Sequence, residues 1–238
     1  MLASEAIPTD WTRFLRGGKL TLGYDVATTE NKTSNPSSFT VSEEVGHRFY
    51  ERLVVRFRSF DPDAAMVALE SVLKAPQQQM WKGMGVDASN EKYHAQNVRK
   101  RFRSILPVTL ISSGETLVWQ RDKFTYKTLL GDLYISSYQD GAIACPDEKF
   151  ILDDRRLVKN HAGSYVTDTD DEGNHGDTFD SGKLAHWIHL CGIGPVRADA
   201  LQVGNFSTGS GGSKHRGGLG PRIPGQSTRI RNQGGQLA

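Results

Sequence analysis

Two aspartates of this chain stand in apolar surroundings. Asp25 sits within the run Leu20-Thr21-Leu22-Gly23-Tyr24-Asp25-Val26-Ala27, and Asp87 repeats the setting in Met84-Gly85-Val86-Asp87-Ala88. An ionised carboxylate taken out of water into a strand costs several kcal/mol unless a cation or hydrogen bonds compensate it, so two such positions point to a shared metal ion. They lie 62 positions apart, and only a particular fold can bring them together.

The elements that must do so can be read from periodicity and turn chemistry. Residues 20–27, 38–44 and 49–60 read as three successive strands, with turns at Asn35-Pro36-Ser37 and Val45-Gly46-His47, which makes an antiparallel group. Asp61-Pro62 has the order of a helix cap followed by a first-turn proline, and the apolar positions that follow continue as a helix up to Pro76. A strand over 81–87, a polar helix over 90–104 and a strand over 106–111 form a crossover unit, predicting two parallel strands. The apolar run of the last strand predicts burial on both faces. Helices are predicted over 126–138 and 148–159, separated by a short strand over 142–145. Residues 164–166 and the acidic segment after them are predicted to form a hairpin, and a last helix covers 177–190.

Composition limits the alternatives. The chain has 238 residues, 37% of them hydrophobic, enough for one full core and a modest appendage. It contains no run of 18 apolar residues and no apolar leader, which predicts a protein that neither enters a membrane nor is exported. Cys145 and Cys191 lack any CxxC partner, arguing against a zinc site or a disulfide framework and for a reducing compartment. The net charge of +2 hides an asymmetry: from Cys191 onward six Arg and Lys face one acid, giving +5, and the preceding residues carry −3. Beyond residue 203 the Gly, Ser, Arg and Pro content cannot form a core, so a disordered basic tail that touches polyanions is expected. The division expected is a lead-in over 1–20, a folded domain over 21–190 and the tail over 191–238.

Three antiparallel strands, a crossover helix and two parallel strands, with an acid in the first strand and another near the end of the fourth, is the order found in ribonuclease H-like nucleases. The expected fold class is therefore α/β, a ribonuclease H-like mixed sheet flanked by helices with a C-terminal hairpin and helix. Several stretches resemble, in order and spacing, the C-terminal nuclease domain of tailed-phage terminase large subunits over about residues 20–190. They are Gly23-Tyr24-Asp25-Val26-Ala27, Asn35-Pro36-Ser37-Ser38-Phe39-Thr40-Val41, Gly85-Val86-Asp87, the strand over 142–145 with Pro146 behind it, the acidic hairpin, and His175-Gly176-Asp177 before a helix. The chain departs from the usual pattern at Asn35, where many relatives have Asp, and at Ser89-Asn90-Glu91, where they have a glycine-rich turn.

The resemblance implies that Asp25 and Asp87 are neighbours and that a third acid comes from the C-terminal helix. Asp177 and Asp180, three apart at that helix start, share a face; Asp177 is ranked first as the catalytic acid and Asp180 is kept as a second metal-ligand candidate, with His175 as a possible assistant. Two divalent cations, Mg2+ or Mn2+, would be the cofactors, since oxygen ligands suit them, and such a pair can activate water and stabilise the leaving oxyanion of a phosphodiester. The implied activity is a metal-dependent endonuclease that cuts double-stranded DNA with little sequence preference during phage genome packaging. The implied partners are double-stranded DNA, the portal protein, the terminase small subunit and the packaging ATPase domain. The implied place is the host cytoplasm, transiently at the procapsid portal. No GxxxxGK[ST] occurs, so the ATPase part is not expected in this chain.

Other motifs are weaker. Asp168-x-Asp170-x-Glu172-Gly173 imitates the start of an EF-hand loop, but Phe179 stands where its last, bidentate Glu is required; a solvated acidic hairpin near the active site is expected instead. Gly83-x-Gly85-x-x-Ala88 does not link a strand to a helix in the way a dinucleotide fingerprint must. Candidate phosphate contacts are Arg99, Lys100, Arg101 and Arg103 on one helix, and Lys123, Lys127, Arg155, Arg156 and Lys159 later in the chain, binding without sequence preference. Two alternatives stay open: a Holliday-junction resolvase or other ribonuclease H-like nuclease, and a non-catalytic DNA-binding or motor-assembly module.

Overall fold

The computed structural model describes residues 7–27, 36–59, 61–161, 164–171 and 175–191. The expected basic tail, apart from Cys191, and the Asn35 departure lie outside the described residues.

A short 3-10 helix, Trp11–Phe14, precedes the sheet and buries Trp11 in the main core. Strands β1 (Lys19–Asp25), β2 (Ser37–Val45) and β3 (Arg48–Phe57) follow as an antiparallel meander. Helix α1 (Pro62–Lys74) starts as the sequence predicts, with Asp61 Oδ1 accepting from the Asp63 N–H at 2.9 Å and Pro62 at the first position, where a missing N–H costs nothing. Strand β4 (Trp81–Asp87), helix α2 (Lys92–Phe102) and strand β5 (Val108–Ile111) make the crossover unit, and β4 and β5 are parallel.

A hairpin of β6 (Thr116–Trp119) and β7 (Asp122–Thr125) comes next, then α3 (Tyr126–Gln139) and the two-residue strand β8 (Ile143–Ala144). Helix α4 (Lys149–Arg156), the hairpin β9 (Val158–His161) with β10 (Ser164–Thr167), and α5 (Asp177–Cys191) complete the described chain.

The sheet order is β5-β4-β1-β2-β3-β8. Strand β1 is central, antiparallel to β2 and parallel to β4, with Gly23 opposite Gly85 and Tyr24 opposite Val86. The fold is thus the expected mixed sheet: β1, β2 and β3 pair antiparallel, β4 and β5 lie parallel to β1 on its other side, and β8 pairs parallel with β3 at the far edge. One face is covered by α1 and α2, whose buried residues Leu69, Leu73, Val98 and Phe102 share a core with Leu22, Tyr24 and Phe39. The other is crossed by α5, which donates Leu184, Trp187 and Ile188 to a second cluster shared with α3.

Several expectations are corrected. Strand β5 is the sheet edge, and Val108, Thr109 and Leu110 remain partly exposed because no strand pairs with its outer side. The helix expected over 148–159 ends at Arg156, and Val158–His161 pairs with Ser164–Thr167, so the hairpin lies earlier than expected and the acidic segment follows it. The β6–β7 hairpin was not foreseen, because its turn uses Gln120 and Arg121 at φ of 50° and 82°, a conformation that ordinarily advertises itself by Gly or Asn. No described helix is long and apolar enough to cross a membrane.

Candidate active site

Because β1 and β4 are parallel neighbours, their C-terminal ends coincide, and these ends carry Asp25 and Asp87. The sheet therefore juxtaposes the two acids that the sequence separates. Their orientation is fixed locally. Asp87 Oδ1 accepts from the Ser89 backbone N–H at 2.8 Å and from the Ser89 hydroxyl at 2.5 Å. Ser89 Oγ also lies 2.9 Å from Ser113 Oγ and accepts from the Ser113 N–H at 2.8 Å, tying the end of β4 to the loop after β5. Ser89 thus fixes the orientation of Asp87. On the β1 side, Ser37 Oγ holds both the N–H and the carbonyl of Ala27.

The third acid arrives on α5, which crosses β1 unusually closely. A Cβ at Gly23 would stand 1.9 Å from the Ser181 carbonyl oxygen and 2.5 Å from the Ala185 nitrogen. Buried hydroxyls hold the helix to the sheet: Ser181 Oγ is 2.9 Å from Ser38 Oγ and 2.8 Å from Thr40 Oγ1, and Thr21 Oγ1 donates to the Ala185 carbonyl at 2.9 Å. The first turn of α5 is anchored from α4, where buried Asp154 accepts from the Thr178 N–H at 2.8 Å and the Thr178 hydroxyl at 2.6 Å while paired with Arg56 at 3.0 Å. Sequence reasoning missed all of these positioning groups; Gly23 inside a strand was the one visible signal.

Asp25, Asp87 and Asp180 line one pocket of about 170 Å3, together with Ser89, Lys127 and Lys183. The carboxyl of Asp25 is pushed well above the usual carboxylate range, first by desolvation and then by the negative charges of Asp180, Asp87 and Asp177, while the Lys183 ammonium acts in the opposite sense. Asp177 is placed differently. It is 3% exposed and absent from the pocket lining, and its Oδ2 is buried without a hydrogen-bond partner among the described residues. Burial, then the charges of Asp154 and Asp180, push its carboxyl up to about 7. His175 Nδ1 lies 3.8 Å from Asp177 Oδ1, beside that buried acid.

The basic candidates separate. Lys127, exposed at the start of α3, lines the acid pocket, its backbone N–H held by the Ser113 carbonyl at 3.0 Å, and exposed Lys123 lies on β7 of the neighbouring hairpin. Arg99, Lys100 and Arg103 form a different depression on α2 that contains none of the acids. Arg101 pairs with Glu70. Arg155 is mostly buried, paired with Glu51 at 2.7 Å between α4 and β3, and serves the core. Lys159 pairs with Asp168 across the C-terminal hairpin. A larger cavity of about 680 Å3 runs along β3 beside Phe14 and Phe150 and holds none of the acids.

The oxygen donors of the acid pocket are the carboxylates of Asp25, Asp87 and Asp180 and the Ser89 hydroxyl, a set that fits a hard divalent cation. As positioned, no three His, Cys, Asp or Glu side chains among the described residues are grouped closely enough to hold a metal ion.

The sheet order and the placement of acids at the ends of β1 and β4 define a ribonuclease H-like fold. No family model and no curated protein matches the chain. Among solved structures it shares its fold with the large terminase of a thermophilic bacteriophage, at a TM-score of 0.53 and 13% identity over 81% of this chain and 46% of that one. The ADP complex of the same terminase gives a TM-score of 0.54 at 13% identity, over 79% and 45% respectively. The human cytomegalovirus terminase nuclease domain aligns at a TM-score of 0.46 and 13% identity, covering 78% of this chain and 91% of that domain. The chain thus spans less than half the length of the phage large terminase it matches.

Proposed function

We propose that this chain is a metal-dependent endonuclease that cuts double-stranded DNA with little sequence preference during phage genome packaging, as the nuclease part of a large terminase. The observation that carries the reading is the convergence of Asp25, Asp87 and Asp180 in one pocket at the strand ends of a fold shared with a phage large terminase.

Asp25, Asp87 and Asp180 would hold two Mg2+ or Mn2+ ions. When bound, such ions supply an activated water and neutralise the charge that develops on the leaving oxygen. The chain's own contribution is positioning. The rigid ends of β1 and β4 fix two carboxylates, the anchored first turn of α5 brings the third, and the Ser89–Ser113 pair keeps Asp87 in one orientation. Of the two helix acids, this reading takes Asp180, which lines the pocket, as the third ligand in preference to the buried Asp177, which does not line it. Lys127 stands where it can hold a backbone phosphate at the pocket mouth, a contact that carries no base preference. Double-stranded DNA is the substrate of this reading. The portal protein, the small subunit and a packaging ATPase are its partners, and the host cytoplasm is its place.

Plasmid incubated with the full chain and Mn2+ or Mg2+ tests it. Wild type is expected to nick and linearise DNA, Asp25→Asn, Asp87→Asn and Asp180→Asn to lose at least a hundredfold, and Asp177→Asn to keep most of the activity, roughly the scale on which catalytic groups act. Equal cutting by wild type and the first three variants would end the assignment. A strong preference for branched DNA over plain duplex would favour the junction-resolvase reading.

A further inference from the structure

Lys183 lies in the acid pocket, yet the cleavage scheme gives it no task. Its side chain is 9% exposed, and its ammonium is ion-paired to Asp180 Oδ1 one helical turn earlier. It lines the same pocket as Asp25 and Asp87, with its ammonium 5.5 Å from the centre of the Phe179 ring. A lysine is almost never buried unless it is paired, and here its partner is the acid that a divalent ion would also need.

We propose that Lys183 is a tethered counter-cation of the site: its ammonium occupies the Asp180 side of the acid pocket, and a divalent ion binds there only when the ammonium swings out. The inference rests on the metal-site reading above. Its physical content is competition. Two cations on one carboxylate repel at short range in a partly desolvated pocket, so breaking the existing pair subtracts from metal affinity. Lysine suits the task, because a single ammonium on a flexible four-carbon stem can leave and return, whereas the rigid fork of an arginine is made for a fixed two-point pair. The charge of Lys183 also opposes the like-charge push that Asp180, Asp87 and Asp177 exert on Asp25. A site guarded in this way fills only at raised divalent concentration, which restrains cutting at rest.

Titration of the full chain with Mn2+, read by the electron paramagnetic resonance signal of the free ion, separates the possibilities. The proteins compared are wild type, Lys183→Met, which keeps the apolar stem, Lys183→Gln as a second neutral variant that decides if the first fails to fold, and Asp25→Asn as the site control. Both neutral variants are expected to bind Mn2+ about tenfold more tightly than wild type, the scale of a partly buried ion pair. Unchanged or weaker Mn2+ affinity in a folded neutral variant, with wild type still binding above Asp25→Asn, overturns this inference and leaves the metal site standing. Weakened retention of DNA with unchanged Mn2+ affinity also overturns it and places Lys183 on the substrate side. If neither wild type nor the neutral variants bind Mn2+ above Asp25→Asn, the metal site and the inference fail together.

Discussion

Asp177 and His186 show how single buried groups set the pH range in which α5 can do its work. The carboxyl of Asp177 is raised to about 7 from the ordinary aspartate value of 3.8, so its contribution to stability is full below 3.8 and is lost as pH rises through 7. His186 has the opposite sign. Burial lowers its imidazole from 6.5 to about 3, so its contribution is full above 6.5 and is lost as pH falls toward 3. Its Nε2 shares a hydrogen bond of 2.9 Å with Ser137 Oγ, which a neutral ring satisfies. Thermal melts between pH 4 and 8 should therefore show Asp177→Asn losing less stability than wild type on going from pH 5 to 8. They should show His186→Gln losing less on going from pH 7 to 4. Parallel pH profiles for wild type and both variants would contradict these assignments.

Helix α5 is the element on which the site depends, and it was legible only in part. Its acids and its start at Asp177 could be read from the sequence, because a histidine, a glycine and two spaced acids open an apolar stretch. Its position over the central strand could not. The helix is buried around nearly its whole circumference, from Thr178 to His189, so it has no polar face whose period would show which side meets the sheet. The contact is instead recorded in glycines. Gly23 admits the helix backbone, and Gly83 and Gly85 on β4 lie against Ile188 and Leu184, which is the use of the two glycines that imitate a dinucleotide fingerprint. Gly23→Ala should therefore destabilise the protein by about 2 kcal/mol or more through overpacking and abolish cleavage by lifting Asp180 from Asp25. Gly114→Ala, with open space around its Cβ, should stay within about 0.5 kcal/mol of wild type. Urea unfolding of the two variants checks this, and equal midpoints would refute the close-crossing account. Asp154→Asn should lower cleavage as well, since it removes the charge that holds the Thr178 N–H and pairs with Arg56.

At the scale of the whole molecule, the order of elements was the most readable property, because alternation in the first three strands and the capped helix after them leave few arrangements. The crossover unit announced the pairing of β4 with β5, whereas the adjacency of β1 and β4, and with it the meeting of Asp25 and Asp87, came only from the resemblance to ribonuclease H-like nucleases. What the chain did not announce was which cations face the site: helix periodicity puts Arg99, Lys100 and Arg103 on a solvated surface as readily as on a DNA-binding one, and only the tertiary fold separates them from Lys127. Lys127→Ala should weaken DNA retention and reduce the slope of log affinity against log salt by about one. Joint replacement of Arg99, Lys100 and Arg103 by Ala should leave the rate of metal-dependent nicking near wild type. Salt titrations of filter-retained duplex and plasmid nicking assays check both; a large loss of nicking in the α2 variant alone would move the DNA path to the α2 surface.

The most direct measurement is anomalous scattering from crystals of this protein soaked in Mn2+. The account predicts peaks within bonding distance of Asp25, Asp87 and Asp180, with the Lys183 ammonium displaced from Asp180. Mn2+ bound elsewhere, in a protein that cuts DNA while these three carboxylates stay metal-free, would contradict it.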